Sequence, residues 1–281
     1  MNTELYAALE PLPGRRVPAG ELSLFVTERG AGRPLVFIHG LGWSHGLWRR
    51  QIARYADRYR VIAGDSRGHG QSDIPVHAYR IEHMARDWLA ALDSVGVEDW
   101  CLVGFSQGGR VAQSLASLAP DRTRALVVIG SGCRDNPGGR ELMEKRLLAA
   151  RESSRAGAEA AAASIFSPAF IAREGAYIEH FIAHRAAMDF APIEAATRAL
   201  FDYDVREGIA RLACPALVAV GEVDRLCPQP AAREVADTLR NARFAVVPAA
   251  GHMVTLEQPA AVDKLLDDFL ASHYSPLRQP K

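Results

Sequence analysis

Leu102-Val103-Gly104-Phe105-Ser106-Gln107-Gly108-Gly109 is the stretch on which the reading of the whole chain turns. An apolar run over residues 100–103, continued by Phe105, has the mark of a buried strand, and residues 110–118 read as a helix. Between them lies Gly-x-Ser-x-Gly, the pattern of a serine carried on a sharp strand-to-helix turn. Glycine on both sides suits such a turn, because only a residue without a β-carbon lets strand and helix close around the serine. The strain points Oγ outward at the end of the sheet, which makes Ser106 the candidate nucleophile.

Working outward, residues 34–39 (PLVFIH), 124–130 (RALVVIG) and 215–220 (PALVAV) are continuous apolar runs, as in strands buried on both faces. Residues 21–28 (ELSLFVTE) alternate like a half-exposed strand, and residues 60–63 and 243–247 read as further strands. Helical spacing recurs between them. Trp48, Ile52, Tyr55, Ala56 and Tyr59 form one set, and Ile81, Met84, Ala85, Trp88, Leu89 and Leu92 form a second. Ala232, Val235, Ala236 and Leu239 form a third, and the closing helix carries Val262, Leu265, Leu266, Phe269 and Leu270 with Pro259 at its first turn. Strands separated by such helices imply parallel neighbours with crossovers, and such sheets bind ligands at their carboxyl ends. The expected fold is α/β, a mostly parallel central sheet with helices on both faces. Residues 1–20, rich in Pro and Gly, read as an arm lying on the surface.

The rhythm changes over residues 134–208, where no strand signal occurs. Helix-like pieces, among them residues 140–151 and 168–185, are interrupted by Pro168, Pro192 and glycines. This segment is too long for a plain connection, and its Phe166, Phe170, Tyr177, Phe181, Phe190 and Phe201 are too apolar for disorder, so a helical cap is expected. Its aromatics either line a pocket or glue the helices together. The expected division is a core over residues 1–133 and 209–281 with a cap over 134–208. An alanine-rich piece near residues 158–163 is the nearest thing to low complexity.

Composition excludes several partners. The 281 residues carry 33 Lys plus Arg against 33 Asp plus Glu, so no net field draws the chain to nucleic acid or to an anionic membrane. The N-terminus has acids and prolines where a signal peptide needs a basic start and an apolar run, and no stretch is long enough to span a bilayer, so a cytoplasmic location is expected. Cys101, Cys133, Cys214 and Cys227 form no C-x-x-C pair and read as reduced fillers in or beside strands. A small, weakly charged molecule is the expected partner, with a homodimer left open.

A serine hydroxyl needs a base to take its proton and a third group to fix the base's tautomer. Asp224 follows one buried strand and His252 follows the next, so both belong in loops at the same sheet end as Ser106. Ser, Asp, His is also the chain order of α/β-hydrolases. From about residue 21 to 272 the chain resembles that family's serine hydrolases. The resemblance rests on His39-Gly40, Asp65-x-Arg67-Gly68-x-Gly70-x-Ser72, Gly104-x-Ser106-x-Gly108-Gly109, Gly221-x-x-Asp224, and Gly251-His252 followed by Glu257-x-Pro259. It implies Ser106 as nucleophile, His252 as base then acid, Asp224 as its orienter, and the backbone N–H groups of Leu41 and Gln107 as an oxyanion hole. Small-molecule esterases, enol-lactonases and cofactor-free perhydrolases look most similar. Haloalkane dehalogenases and epoxide hydrolases carry aspartate where this chain has Ser106. Carbon-carbon bond hydrolases usually have asparagine before the serine and tryptophan after the histidine, where this chain has Phe105 and Met253.

The expected activity is cleavage of a small carboxylic ester or lactone through an acyl-enzyme, with no cofactor. Alternatives are perhydrolysis, carbon-carbon hydrolysis on the same triad, and a ligand-binding protein with negligible turnover. Asp65 could compete with Asp224, but its motif suggests a structural ion pair with Arg67. His39 is expected to pack beneath the oxyanion loop with no proton-transfer role. His180 and His184 share a helix face but lack a third ligand, so no metal site is expected. Trp43 and Met253 are the candidate pocket walls, and Leu226 and Cys227, also next to the triad in sequence, fit pocket or core alike.

Overall fold

The computed structural model describes residues 3–276, in which one eight-stranded sheet organises the chain. A short helix α1 (Thr3–Ala7) precedes β1 (Arg15–Ala19), β2 (Leu22–Arg29) and β3 (Pro34–Ile38). There follow a 3₁₀ turn (His45–Trp48), α2 (Arg49–Tyr55), β4 (Arg60–Asp65), α3 (Ile81–Ser94), β5 (Trp100–Phe105), α4 (Gln107–Leu118) and β6 (Thr123–Ile129). An insert then brings α5 (Pro137–Glu152), α6 (Ser154–Ile165), α7 (Pro168–Arg173), α8 (Gly175–Ala186) and α9 (Phe190–Arg198). The chain closes with α10 (Arg206–Ile209), β7 (Ala216–Gly221), α11 (Gln229–Thr238), β8 (Ala242–Val247), α12 (Val254–Glu257) and α13 (Pro259–His273).

The strand order is β1-β2-β4-β3-β5-β6-β7-β8. β2 runs antiparallel to both neighbours and every later pairing is parallel. All six residues of β5 and of β7 are buried, which fits the unbroken apolar runs, while in β8 at the edge only Val247 is. Because β5, β7 and β8 point the same way, the loops that follow them open at one rim.

Two expectations are corrected here. Residues 15–19 are not part of a surface arm but an edge strand, paired to β2 with Val17 and Ala19 buried. Pro18 concealed it, since proline argues against a strand; on an edge its missing N–H costs no ladder bond. The single helix expected over residues 168–185 is two, because α7 ends at Arg173 and α8 starts at Gly175, with Glu174 between them. The alanine-rich piece lies in α6 with Ala158, Ala161 and Ala162 buried, and Gly157 approaches α5 so closely that a β-carbon would stand 2.5 Å from Ala150 Cβ.

The insert between β6 and β7 forms the helical cap. Its base is pinned by a bridge between Arg134 and Asp204 and by the bonds Asp135 N–H to Tyr203 O and Val205 N–H to Cys133 O. Phe166 stacks on Phe170 and meets Phe181 edge-on, with centroids 5.1 and 5.2 Å apart. With Tyr177 these rings are all buried, so most of the cap's aromatics glue its helices together. All four cysteines are free, and no described helix is long and apolar enough to cross a membrane.

Candidate active site

Ser106 ends β5 and caps α4 with φ 53° and ψ −117°, a conformation L-residues rarely adopt. The glycines around it make that turn feasible. A β-carbon on Gly104 would lie 2.3 Å from Gly108 O, and one on Gly108 would lie 2.2 Å from Ile38 O. The Ser106 N–H is tied to Ile129 O at 2.8 Å, which fixes the turn against β6.

Oγ of Ser106 lies 2.8 Å from Nε2 of His252, and Nδ1 of His252 lies 2.8 Å from Oδ2 of Asp224. Oδ1 of Asp224 accepts from the N–H groups of Leu226 and Cys227, both at 2.9 Å, so this carboxylate is held at both oxygens. With Asp224 accepting at Nδ1, the imidazole carries its proton there and turns a lone pair toward the serine. Asp224 and His252 are buried and Ser106 is half-buried. Gly40 packs against Ser106, and the backbone N–H groups of Leu41 and Gln107, next in sequence to these two, donate to no protein acceptor among the described residues.

The other residues singled out by sequence divide clearly. Asp65 is remote from this chain of bonds: it is buried and accepts from Nδ1 and N–H of His45 at 2.8 and 2.7 Å and from Gln71 N–H at 2.9 Å. Burial alone would raise its carboxyl, but the bond from His45 and the neighbouring imidazoles hold it below the usual range. The expected Asp65–Arg67 ion pair is therefore corrected. Arg67 grips Asp87 through two bonds of 2.5 and 2.6 Å, because the turn aims its side chain at α3. His39 lies buried under the loop, accepting from Ser66 N–H at 3.0 Å and donating to Gly40 O at 2.8 Å. Burial lowers its pKa, so the ring is neutral.

Leu226 and Cys227 line a cavity of about 40 Å³ with Ser106, His252, Arg110 and Phe201. Burial pushes the Cys227 thiol well up, which keeps it protonated. Trp43 stacks on Phe181 of the cap at 5.6 Å and borders a neighbouring cavity of about 370 Å³ instead. Met253 is fully buried and outside the lining of either cavity, since the backbone after His252 turns it into the core. His180 and His184 are exposed on α8, and no cluster of three metal-ligating side chains occurs among the described residues.

Sequence reasoning missed the contacts that join cap to rim. Arg185 of α8 donates to the carbonyls of Gly42 and Leu41. Gln107 reaches Ala196 O at 2.7 Å. Glu257 accepts from Gly251 N–H at 3.1 Å and from Ser167 N–H at 3.2 Å, tying the His252 loop to the cap. The Glu257-x-Pro259 motif marked that residue without disclosing its partners.

Comparison with known proteins bears on this geometry. The family described as alpha/beta hydrolase fold matches residues 33–150, and one described as TAP-like protein matches residues 201–279. A protein of Azorhizobium caulinodans named, as a provisional assignment, carbamate hydrolase RutD is 31% identical over 89% of this chain and 96% of its own. 3-Oxoadipate enol-lactonase 2 of Acinetobacter baylyi is 30% identical over 86% and 91%. Among solved structures, a thermophilic esterase from Thermogutta terrifontis superposes with a TM-score of 0.83 at 26% identity, over 94% of this chain and 100% of its own. The enol-lactonase from Burkholderia xenovorans gives 0.84 at 25%, over 92% and 100%. By sequence and by architecture alike, the chain belongs to the α/β-hydrolase fold family.

Proposed function

We propose that this protein is a serine hydrolase that opens a small carboxylic ester or lactone through an acyl-enzyme on Ser106. The observation that carries the reading is the unbroken pair of 2.8 Å contacts from Ser106 through His252 to Asp224. His252 takes the hydroxyl proton as Ser106 Oγ bonds to the substrate carbonyl carbon. The tetrahedral intermediate collapses, the carbon–oxygen bond to the leaving group breaks, and His252 returns the proton to the departing alkoxide. Water repeats the attack with His252 as base, releasing the acid and restoring the serine. The unpaired N–H groups of Leu41 and Gln107 are the oxyanion donors, each contributing on the order of 3 kcal/mol to the transition state.

The cavity at Ser106 is walled by core and cap together, Arg110 and Leu226 on one side and Met143 and Phe201 on the other, so the cap bounds what can reach the serine. Enol-lactonase and esterase relatives favour oxygen esters as substrates. A carbamate is the second reading, favoured by the 31% identical relative, and it needs the same acyl chemistry on the same serine. Short-acyl nitrophenyl esters, simple lactones and carbamates, offered to wild-type protein and to Ser106→Ala, test the reading. Wild type is expected to hydrolyse an ester or lactone, and the variant to lose at least about 10⁴-fold in kcat/KM. A loss under tenfold would remove Ser106 from the reaction.

A further inference from the structure

Arginines in this protein mostly face acids: Arg67, Arg140 and Arg151, for example, pair with Asp87, Asp135 and Glu194. Arg110 on α4, Arg146 on α5 and Arg185 on α8 do not. Among the described residues none of the three has a carboxylate within ion-pair distance. Arg110 and Arg185 bridge core and cap while Arg146 faces a cavity among the cap helices, and loss of hydration lowers each guanidinium, Arg146 to about 10 and Arg185, further opposed by Arg146, to about 9. Uncompensated charge in such a place is costly for a fold that needs only packing there.

Arg110 is the one of the three in the wall of the Ser106 cavity. Its Nη1 donates to Leu200 O at 2.6 Å, and its guanidinium lies over the Tyr203 ring at 5.3 Å. Nε and Nη2, the two donors along one edge of the planar group, have no protein partner among the described residues. Asp135 also borders the cavity, but its oxygens are engaged by Arg140 at 2.5 Å and by the N–H groups of Asn136 and Asp202. A neutral donor would serve Leu200 O as well, so the full charge and the open edge are left over.

We propose that Arg110 is a carboxylate-binding residue, so that the ester or lactone opened at Ser106 is itself an anion, held one helical turn beyond the serine. The open edge of a guanidinium matches the two oxygens of a carboxylate in a bidentate pair. Arg146 and Arg185, which border an adjoining cavity sharing Met143 with this one, add positive potential without making the contact. The inference rests on the reading of Ser106 as the site of attack, and its test keeps the two apart.

Calorimetric titration of the Ser106→Ala protein with monomethyl glutarate and with dimethyl glutarate reads the carboxylate directly, without turnover. The monoanion is expected to bind at least about tenfold tighter, the scale of one charge-assisted contact. Adding Arg110→Met is expected to bring the ratio of the two affinities close to one, whereas adding Arg146→Met leaves the preference in place. Arg110→Lys, which keeps the charge but not the fork, is expected to show a reduced preference and serves if the methionine variant does not fold. Equal affinities in the Ser106→Ala protein overturn the proposal, as does a preference that survives at Arg110 and vanishes at Arg146. Fluorophosphonate labelling of the wild type is scored separately. A labelled serine with equal affinities sinks the carboxylate assignment alone, and an unlabelled serine sinks the hydrolase reading whatever the ratio.

Discussion

At the rim of the sheet, Gly104 and Gly108 leave no space for a β-carbon and Ser106 sits at a positive φ, so backbone sterics dictate where the hydroxyl goes. In the cap, Phe166, Phe170, Tyr177 and Phe181 hold helices together through ring contacts that many apolar side chains could replace. The first region is expected to tolerate almost no substitution and the second to tolerate shape-conserving ones. Under the proposed reading, chemistry falls on the part of the molecule with the fewest conformational alternatives, and the cap that bounds the cavity has more.

The sharpest way to break this contrast is at the rim. Asp224→Asn keeps the shape of the His252 contact but favours the wrong tautomer, and kcat is expected to fall by about 10³–10⁴-fold. Steady-state kinetics on any ester the wild type accepts would reveal it, and a loss under tenfold would detach Asp224 from the reaction. Gly108→Ala should cost about 3 kcal/mol in urea unfolding, because the new methyl lands 2.2 Å from Ile38 O. Unchanged stability would mean that strand and helix are not so closely held.

Beneath the rim, His69 is buried with Nδ1 donating to Arg67 O, and burial lowers its pKa from 6.5 to about 3. The unfolded chain therefore binds a proton that the folded one refuses. Stability is full above about pH 6.5 and falls with pH toward 3, by about 2 kcal/mol between pH 6.5 and 5. His39, lowered by the same cause, steepens the fall. Chemical denaturation at both pH values checks this, and His69→Gln should flatten the slope. The smallest effect belongs to the cap: Phe181→Leu is expected to cost about 1 kcal/mol and to move KM more than kcat. A kcat loss matching that of Asp224→Asn would erase the distinction between the two regions.

That distinction also explains what could be read from the sequence. The turn at Ser106 was legible because its glycines are a steric requirement, and the strand rhythm around it carries a strong apolar signal. The placements of Asp224 and His252 follow from the strand that precedes each one, and chain order agrees with them. What stayed hidden depends on side chains that meet only in three dimensions. Nothing local tells that Arg67 turns to Asp87 and leaves Asp65 to His45, or that Arg185 reaches the carbonyls of Leu41 and Gly42. Met253 beside His252 reads in sequence like a pocket wall, but the whole stretch from Gly251 to Glu257 is buried and Met253 goes into the core. The edge strand at residues 15–19 was masked by Pro18, whose meaning reverses once an edge position is known.

Labelling with a fluorophosphonate probe, followed by mass mapping of the modified peptide, tests the central claim most directly. A single adduct on Ser106, abolished in Ser106→Ala and strongly slowed when His252 is replaced by Ala, is the expected result. A protein left unmodified under conditions that label other serine hydrolases, or modified only at a different residue, would contradict the account.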